Sequence, residues 1–178
     1  GTIDMKAWRN PYIVSFAQAA AGFRAGAQTP RDFLERCIAN VDKYENRVKA
    51  FVTLNVKGAR KAADESTKRY KAGRPLSMVD GCPVGIKDIM ATCDMPTQMN
   101  SPAFKGWQSG QDAACVQALR RGGAIILGKT VTTECAIGLS GPTTHPFDPA
   151  RTPGGPSSGT AAGVGAGVGT AGVGVPVA

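Results

Sequence analysis

From Thr152 to Ala178 the chain carries no charged and no aromatic side chain; it is built only from Gly, Ala, Val, Thr, Ser and Pro. A Gly/Ser linker stays solvated, but a long block of Ala, Gly and Val without charge has to be buried against the rest of the fold. Its head, Pro153-Gly154-Gly155-Pro156-Ser157-Ser158-Gly159-Thr160, therefore reads as a loop laid over a core. Glycines accept left-handed backbone and the close approach of a ligand, and hydroxyls supply donors or nucleophiles. The remainder, Gly159 to Val173, fits either a tightly packed helix or a Gly-rich strand and loop.

The region before this block alternates helix and strand signals. Ser15 to Arg24 is an amphipathic helix candidate with Gly26 as its stop. Thr29-Pro30 reads as N-cap and first residue of a second helix, whose apolar positions Phe33, Leu34, Cys37, Ile38 and Val41 recur at helical spacing. Val48 to Leu54 reads as a strand, and Lys57 to Ala72 as a charged helix closed by Gly73. From Gly81 the texture becomes apolar. Cys82 to Ile86 and Ala124 to Leu127 read as buried strands, separated by a loop over Pro96–Gly110 and a helix over Asp112–Arg121 that Gly122-Gly123 stops. Thr132 to Ala136 opens a short helix, and Gly141 to Pro156 is irregular. This order predicts an α/β fold with a parallel or mixed sheet flanked by helices.

Composition narrows the function classes. A chain of 178 residues with 42% hydrophobic content is large enough for one domain with a core. The net charge of +8 is spread over helices, without a basic run interleaved with aromatics, so nucleic acid is not an expected partner. Five cysteines without C-x-x-C spacing suggest reduced thiols and a cytoplasmic setting. They are expected to pack rather than react, with Cys115 on the apolar side of a helix and Cys82 in a buried run. One histidine, His145, makes a zinc site improbable, and no cofactor is implied. No run approaches the length of a membrane span, and the N-terminal residues show no signal-peptide pattern.

Three motifs suggest chemistry. Gly123-Ala124-Ile125-Ile126-Leu127-Gly128-Lys129-Thr130 fits the P-loop expression. Its middle residues look like a strand rather than a phosphate-cradling loop, so nucleotide binding is rejected. His145 and Asp148 invite a triad reading, but they lie in a Pro-rich loop without a Gly-x-Ser-x-Gly elbow. Lys87 follows Val84-Gly85-Ile86 at a strand end. Burial there would disfavour its ammonium form and make it a general base; the competing reading is a surface lysine, or one paired with Asp88.

Taken together, these motifs resemble the amidase signature family, the Ser–cisSer–Lys amide hydrolases, over roughly residues 28 to 167. The resemblance rests on Gly81-Cys82-Pro83-Val84-Gly85-Ile86-Lys87-Asp88, Asp94-Met95-Pro96-Thr97-Gln98-Met99, Asp112-Ala113-Ala114-Cys115-Val116, Gly122 to Thr130, and Asp148 to Gly155, in that order. It implies Lys87 as the base of a relay through a bridging serine to a serine nucleophile, with an acyl-enzyme intermediate. It also implies a small-molecule amide substrate, contacted at Gly154, Gly155 and Met99. Where the family places the bridging serine, directly after Gly-Gly, this chain has Pro156, which accepts a cis bond but has no hydroxyl. Ser157 and Ser158 are the available candidates, Ser157 serving if the loop shifts by one residue. The nucleophile falls by count just beyond Ala178; a gapped alignment on Gly172 to Pro176 offers no serine, and Thr170 is a poor substitute.

Residues 1–178 are thus expected to form the N-terminal portion of one amidase-signature domain, with a mainly helical region over 1–75 and the start of the α/β core over 76–178. A truncated domain would expose sheet edges and apolar faces, so homodimerisation or association with the remainder of the domain is expected. This portion by itself is expected to be inactive. The rival readings are the amidase component of a tRNA-dependent amidotransferase and a catalytically inactive scaffold.

Overall fold

The computed structural model describes residues 15–167 and 171–174. Helix α1 (Phe16–Arg24) and helix α2 (Pro30–Val48) start where the sequence signals them. At α2 the Thr29 hydroxyl accepts from the Asp32 N–H at 3.1 Å, and the Asp32 carboxylate accepts from the Thr29 N–H at 3.0 Å. This reciprocal box satisfies two otherwise orphaned donors. The predicted strand from Val48 is shorter, Phe51–Leu54 (β1). Val48 instead completes the apolar face of α2, in one core with Leu34, Ile38 and Val41. The chain then reverses at Lys49, which is left-handed at φ 52°.

Helix α3 (Val56–Lys71) packs along α2, and Gly73 at φ +67° ends it as predicted. Strands β2 (Pro83–Lys87), β3 (Ile125–Thr130) and β4 (Ala171–Val173) join β1 in a mixed sheet ordered β1-β3-β2-β4. β1 runs antiparallel to β3, while β3 and β4 both run parallel to β2. Every residue of β2 and β3 is buried, as expected of central strands covered on both faces. One face holds Leu34, Ile38, Ala59, Ala63, Ile125 and Leu127 beneath α2 and α3. The other holds Val84, Ile86, Met95, Val116 and Ile126 beneath α4 (Ala114–Arg121) and the loop after β2. The fold is therefore α/β, as predicted. No helix among the described residues is long and apolar enough to cross a membrane.

The uncharged block divides into both predicted alternatives, helix α5 (Ser158–Gly165) and strand β4. Its alternation Ala171-Gly172-Val173-Gly174 has a packing reason. Ala171 and Val173 face the apolar cluster around Ile86. A side-chain carbon on Gly172 would land on Thr160 of α5, so glycine lets helix and strand close together.

Gly159 in α5 makes the tightest such approach. Its N–H donates to the Val131 carbonyl at 2.9 Å, and a Cβ here would strike the Ala50 carbonyl and the Val131 backbone nitrogen. Backbone cannot swing away as a side chain can. Gly159→Ala is expected to destabilise by about 3 kcal/mol, read as a lowered urea midpoint. An unchanged midpoint would show that α5 shifts freely.

Candidate active site

Lys87 ends β2 and is fully buried. Side chains alternate along a strand, so Ile86 enters the cluster with Val84 while Gly85 and Lys87 point to the α5 side. The N-terminal end of β2 faces the turn from α3; its C-terminal end opens toward the Gly-Gly loop. Burial pushes the Lys87 ammonium below the ordinary lysine range. This is the direction a general base requires.

The loop over Lys87 is held by its backbone. The Pro156 carbonyl accepts from the Thr133 N–H at 3.0 Å and from the Thr132 hydroxyl at 3.1 Å. The Gly155–Pro156 peptide bond is cis, and Gly154 is left-handed at φ +82°. Ser157 precedes the first turn of α5, but its hydroxyl does not cap the helix. Where β4 passes β2, a side-chain carbon on Gly174 would sit 2.6 Å from Ser157 Oγ and 3.7 Å from Lys87 Cδ. Ser157 and the stem of Lys87 therefore flank Gly174, whose missing side chain leaves them a shared space. A cleft of about 420 Å³ lies over it, lined by Gly154, Gly155, Pro156, Ser157, Thr160 and Gly174.

The other predicted site residues lie apart from this cleft. Ser158 is buried, and its hydroxyl points to the Val131 carbonyl at 3.4 Å. Met99 does not line the cleft. It is left-handed at φ 55°, donates its N–H to the Asp88 carbonyl at 3.0 Å and accepts from the Cys135 N–H at 2.9 Å. It thereby pins the turn after β2 to the segment following β3. His145 accepts from the Phe147 N–H at 3.2 Å, while Asp148 pairs with Arg151 at 3.0 Å. The histidine and its neighbouring carboxylate are each engaged locally. Thr170, Val175 and Pro176 lie outside the described residues.

Two cysteine expectations divide. Cys82 is buried, but Cys115 is exposed, because Val116, one residue on, takes the inward position of α4. Burial pushes the Cys37 thiol up to about 12, so it packs as an inert apolar group. Among the described residues, Cys93, Asp94 and Asp112 come close enough to share a cation. Arg120 already sits against Asp94 at 2.7 Å and Asp112 at 2.9 Å, supplying the positive charge there.

Sequence reasoning missed one group. Lys129, set aside with the P-loop, is fully buried and forms an ion pair with Asp88 at 3.0 Å. Gly128-Lys129-Thr130 lies within β3, so the phosphate-loop reading fails for the reason anticipated. Asp88, one of the partners considered for Lys87, is instead committed to Lys129. Lys129 Nζ also donates to the Thr97 hydroxyl at 2.8 Å and the Pro96 carbonyl at 3.1 Å. Burial raises the Asp88 carboxyl and lowers the Lys129 ammonium, and their mutual attraction opposes both effects. The available signal was a lysine in each of two adjacent buried strands with one acid following.

The Amidase family profile matches residues 32–177. The glutamyl-tRNA(Gln) amidotransferase A subunit of Thermobifida fusca is 38% identical over 152 residues, covering 82% of this chain and 30% of that protein. Its counterpart in Chloroflexus aurantiacus (strain ATCC 29366 / DSM 635 / J-10-fl) is 36% identical over 155 residues, covering 84% and 31%. The solved peptide amidase of Stenotrophomonas maltophilia superposes with a TM-score of 0.83 at 29% identity, covering 89% of this chain and 35% of that one. The chain thus spans about a third of the length of the curated relatives it matches. It belongs to the amidase signature family.

Proposed function

We propose that the whole protein hydrolyses a carboxylic amide by serine acyl transfer, with Lys87 as general base and Ser157 as the relay hydroxyl. The observation that carries this reading is the convergence of a fully buried lysine and Ser157 on Gly174, beneath a cleft walled by the Gly-Gly loop. A neutral amine can take a proton that an ammonium cannot, and a hydroxyl between base and nucleophile can accept one proton as it passes on another. Gly154 and Gly155 leave room for substrate against backbone. Ser157, rather than the residue directly after Gly-Gly, then serves the relay. β4 runs parallel to β2 and delivers the chain beside Lys87.

The two candidate serines separate experimentally. In the full-length protein, Ser157→Ala is expected to lower kcat for a simple amide by about 10³-fold, whereas Ser158→Ala leaves it within a few-fold, with circular dichroism unchanged in both. Full activity in Ser157→Ala would remove it from the relay.

A second reading, the amidase component of an amidotransferase, is favoured by the names of the relatives at 36–38% identity. Native purification distinguishes the two. Ammonia release from glutamine that depends on co-purifying proteins supports the second reading, and turnover of a simple amide by the protein alone supports the first.

A further inference from the structure

We infer that Asp88 and Lys129 are positioning residues for Lys87: their buried ion pair anchors the end of β2 and commits the carboxylate adjacent to Lys87 to the opposite face of the sheet. The inference rests on the reading of Lys87 as the base, and on a specific irregularity in β3. Val84 pairs with Ile126 but Gly85 pairs with Gly128, so Leu127 is an extra residue on β3. Such a bulge inverts the facing of every residue after it. Beyond it, Lys129 stands opposite Ile86, and Thr130 opposite Lys87. Without the bulge, the inward side of β3 would carry a second ammonium next to Lys87. With it, Lys129 joins Asp88 on the far face.

The pair is well fixed there. Thr97 donates its hydroxyl proton toward the Met90 carbonyl at 3.5 Å and so presents a lone pair to Lys129 at 2.8 Å. Asp88 Oδ2 accepts from the Gln98 N–H at 3.2 Å. The Asp88 main chain donates to the Thr130 carbonyl at 2.9 Å and accepts from Met99 at 3.0 Å. Asp88 is thus held at both its side chain and its backbone, one residue from Lys87. Among the described residues, β1, β4 and α5 carry no ionisable side chain, and β2 and β3 contribute only Lys87 and Lys129. The field at Lys87 from the strands and the residue that follows β2 is therefore set by Asp88 and Lys129, which balance each other.

Unbalancing the pair should move Lys87 in opposite directions. Lys129→Met leaves the Asp88 charge uncompensated and favours the Lys87 ammonium; Asp88→Asn leaves the Lys129 charge and disfavours it. The double variant Asp88→Asn/Lys129→Met is neutral and near-isosteric, the kind of replacement buried ion pairs tolerate. The experiment follows Lys87 in the full-length protein by NMR of lysines labelled at Cε and Nζ, the Lys87 signal being assigned by its loss in Lys87→Met. The midpoint of Lys87 is expected to rise by about one pH unit or more in Lys129→Met, to fall in Asp88→Asn, and to return to the wild-type value in the double variant. If either single variant fails to fold, the double variant decides. A Lys87 midpoint within about half a pH unit of wild type supports the pair's neutral balance, and a larger displacement overturns it. Unchanged midpoints in the folded single variants also overturn it. The acid limb of kcat/KM, measured in parallel, addresses the parent reading. If Lys87 moves as stated and that limb does not, the positioning role stands and Lys87 is not the base.

Discussion

Replacing Lys87 with methionine is expected to remove amide hydrolysis from the full-length protein, by about 10⁴-fold or more, while leaving its stability nearly unchanged. Both parts follow from the same observation. Lys87 is wholly buried, with its ammonium pushed below the ordinary range. A lysine whose charged form is disfavoured by burial is suited to act as a base. Methionine matches the length of the stem and needs no solvation, so the change is worth within about 1.5 kcal/mol. The loss of activity is large because relay members act as a unit, and removing one idles the others. Turnover and the thermal midpoint, measured on the same preparation, check this. Turnover within tenfold of wild type would show that another group takes the proton. Collapse of the fold would make Lys87 structural. Loss of turnover with the fold retained would count against the inactive-scaffold reading.

The opposite balance holds at Asp80, where Asp80→Ala is expected to destabilise by about 3–5 kcal/mol. Asp80 is buried in the turn between α3 and β2. It accepts from Arg69 at 2.8 and 2.7 Å, from the Ser66 hydroxyl at 2.7 Å and from the Leu76 N–H at 2.8 Å. Gly123 presses on the carboxylate so closely that a Cβ there would lie 2.5 Å from Oδ1. Truncation leaves a half-buried guanidinium and an N–H without an acceptor. Burial by itself would push the Asp80 carboxyl up, but Arg69, the Leu76 N–H and the Ser66 hydroxyl together hold it below the usual range. A depressed carboxyl contributes stability above its unfolded value, about pH 4, and loses that contribution as pH falls through the folded value. The gap between wild type and variant in urea midpoints is therefore expected to be full at pH 7 and to shrink below about pH 4. A gap that is small at pH 7, or constant with pH, would show that Arg69 is satisfied elsewhere. The exposed Arg60–Glu35 pair, at 2.8 Å, contributes far less, since water competes for both partners.

Much of this was legible without coordinates. The capping box at Thr29, the stop at Gly73 and the two buried runs around Val84 and Ile126 are local signals, and each one lies close to where it was read. Errors arose where one residue had two roles. Val48 has strand propensity, yet it completes an apolar helix face. Cys115 looked inward on a short helix whose inward position is Val116.

The chain's own order of residues determined the lineage, the helix boundaries, the α/β class and the candidacy of Lys87, because capping, periodicity and motif spacing act over a few residues. Tertiary structure decided which serine lies on the Gly174 side with the Lys87 stem and which face of the sheet carries the Asp88–Lys129 pair. Ser157 and the Lys87 stem both lie against Gly174, whereas the Ser158 hydroxyl turns to the Val131 carbonyl. Asp88 serves Lys129 because one extra residue in β3 inverts the facing of the strand beyond it. Both outcomes depend on the register of strands some 40 to 90 residues apart in sequence, a pairing set by which faces the helices bury.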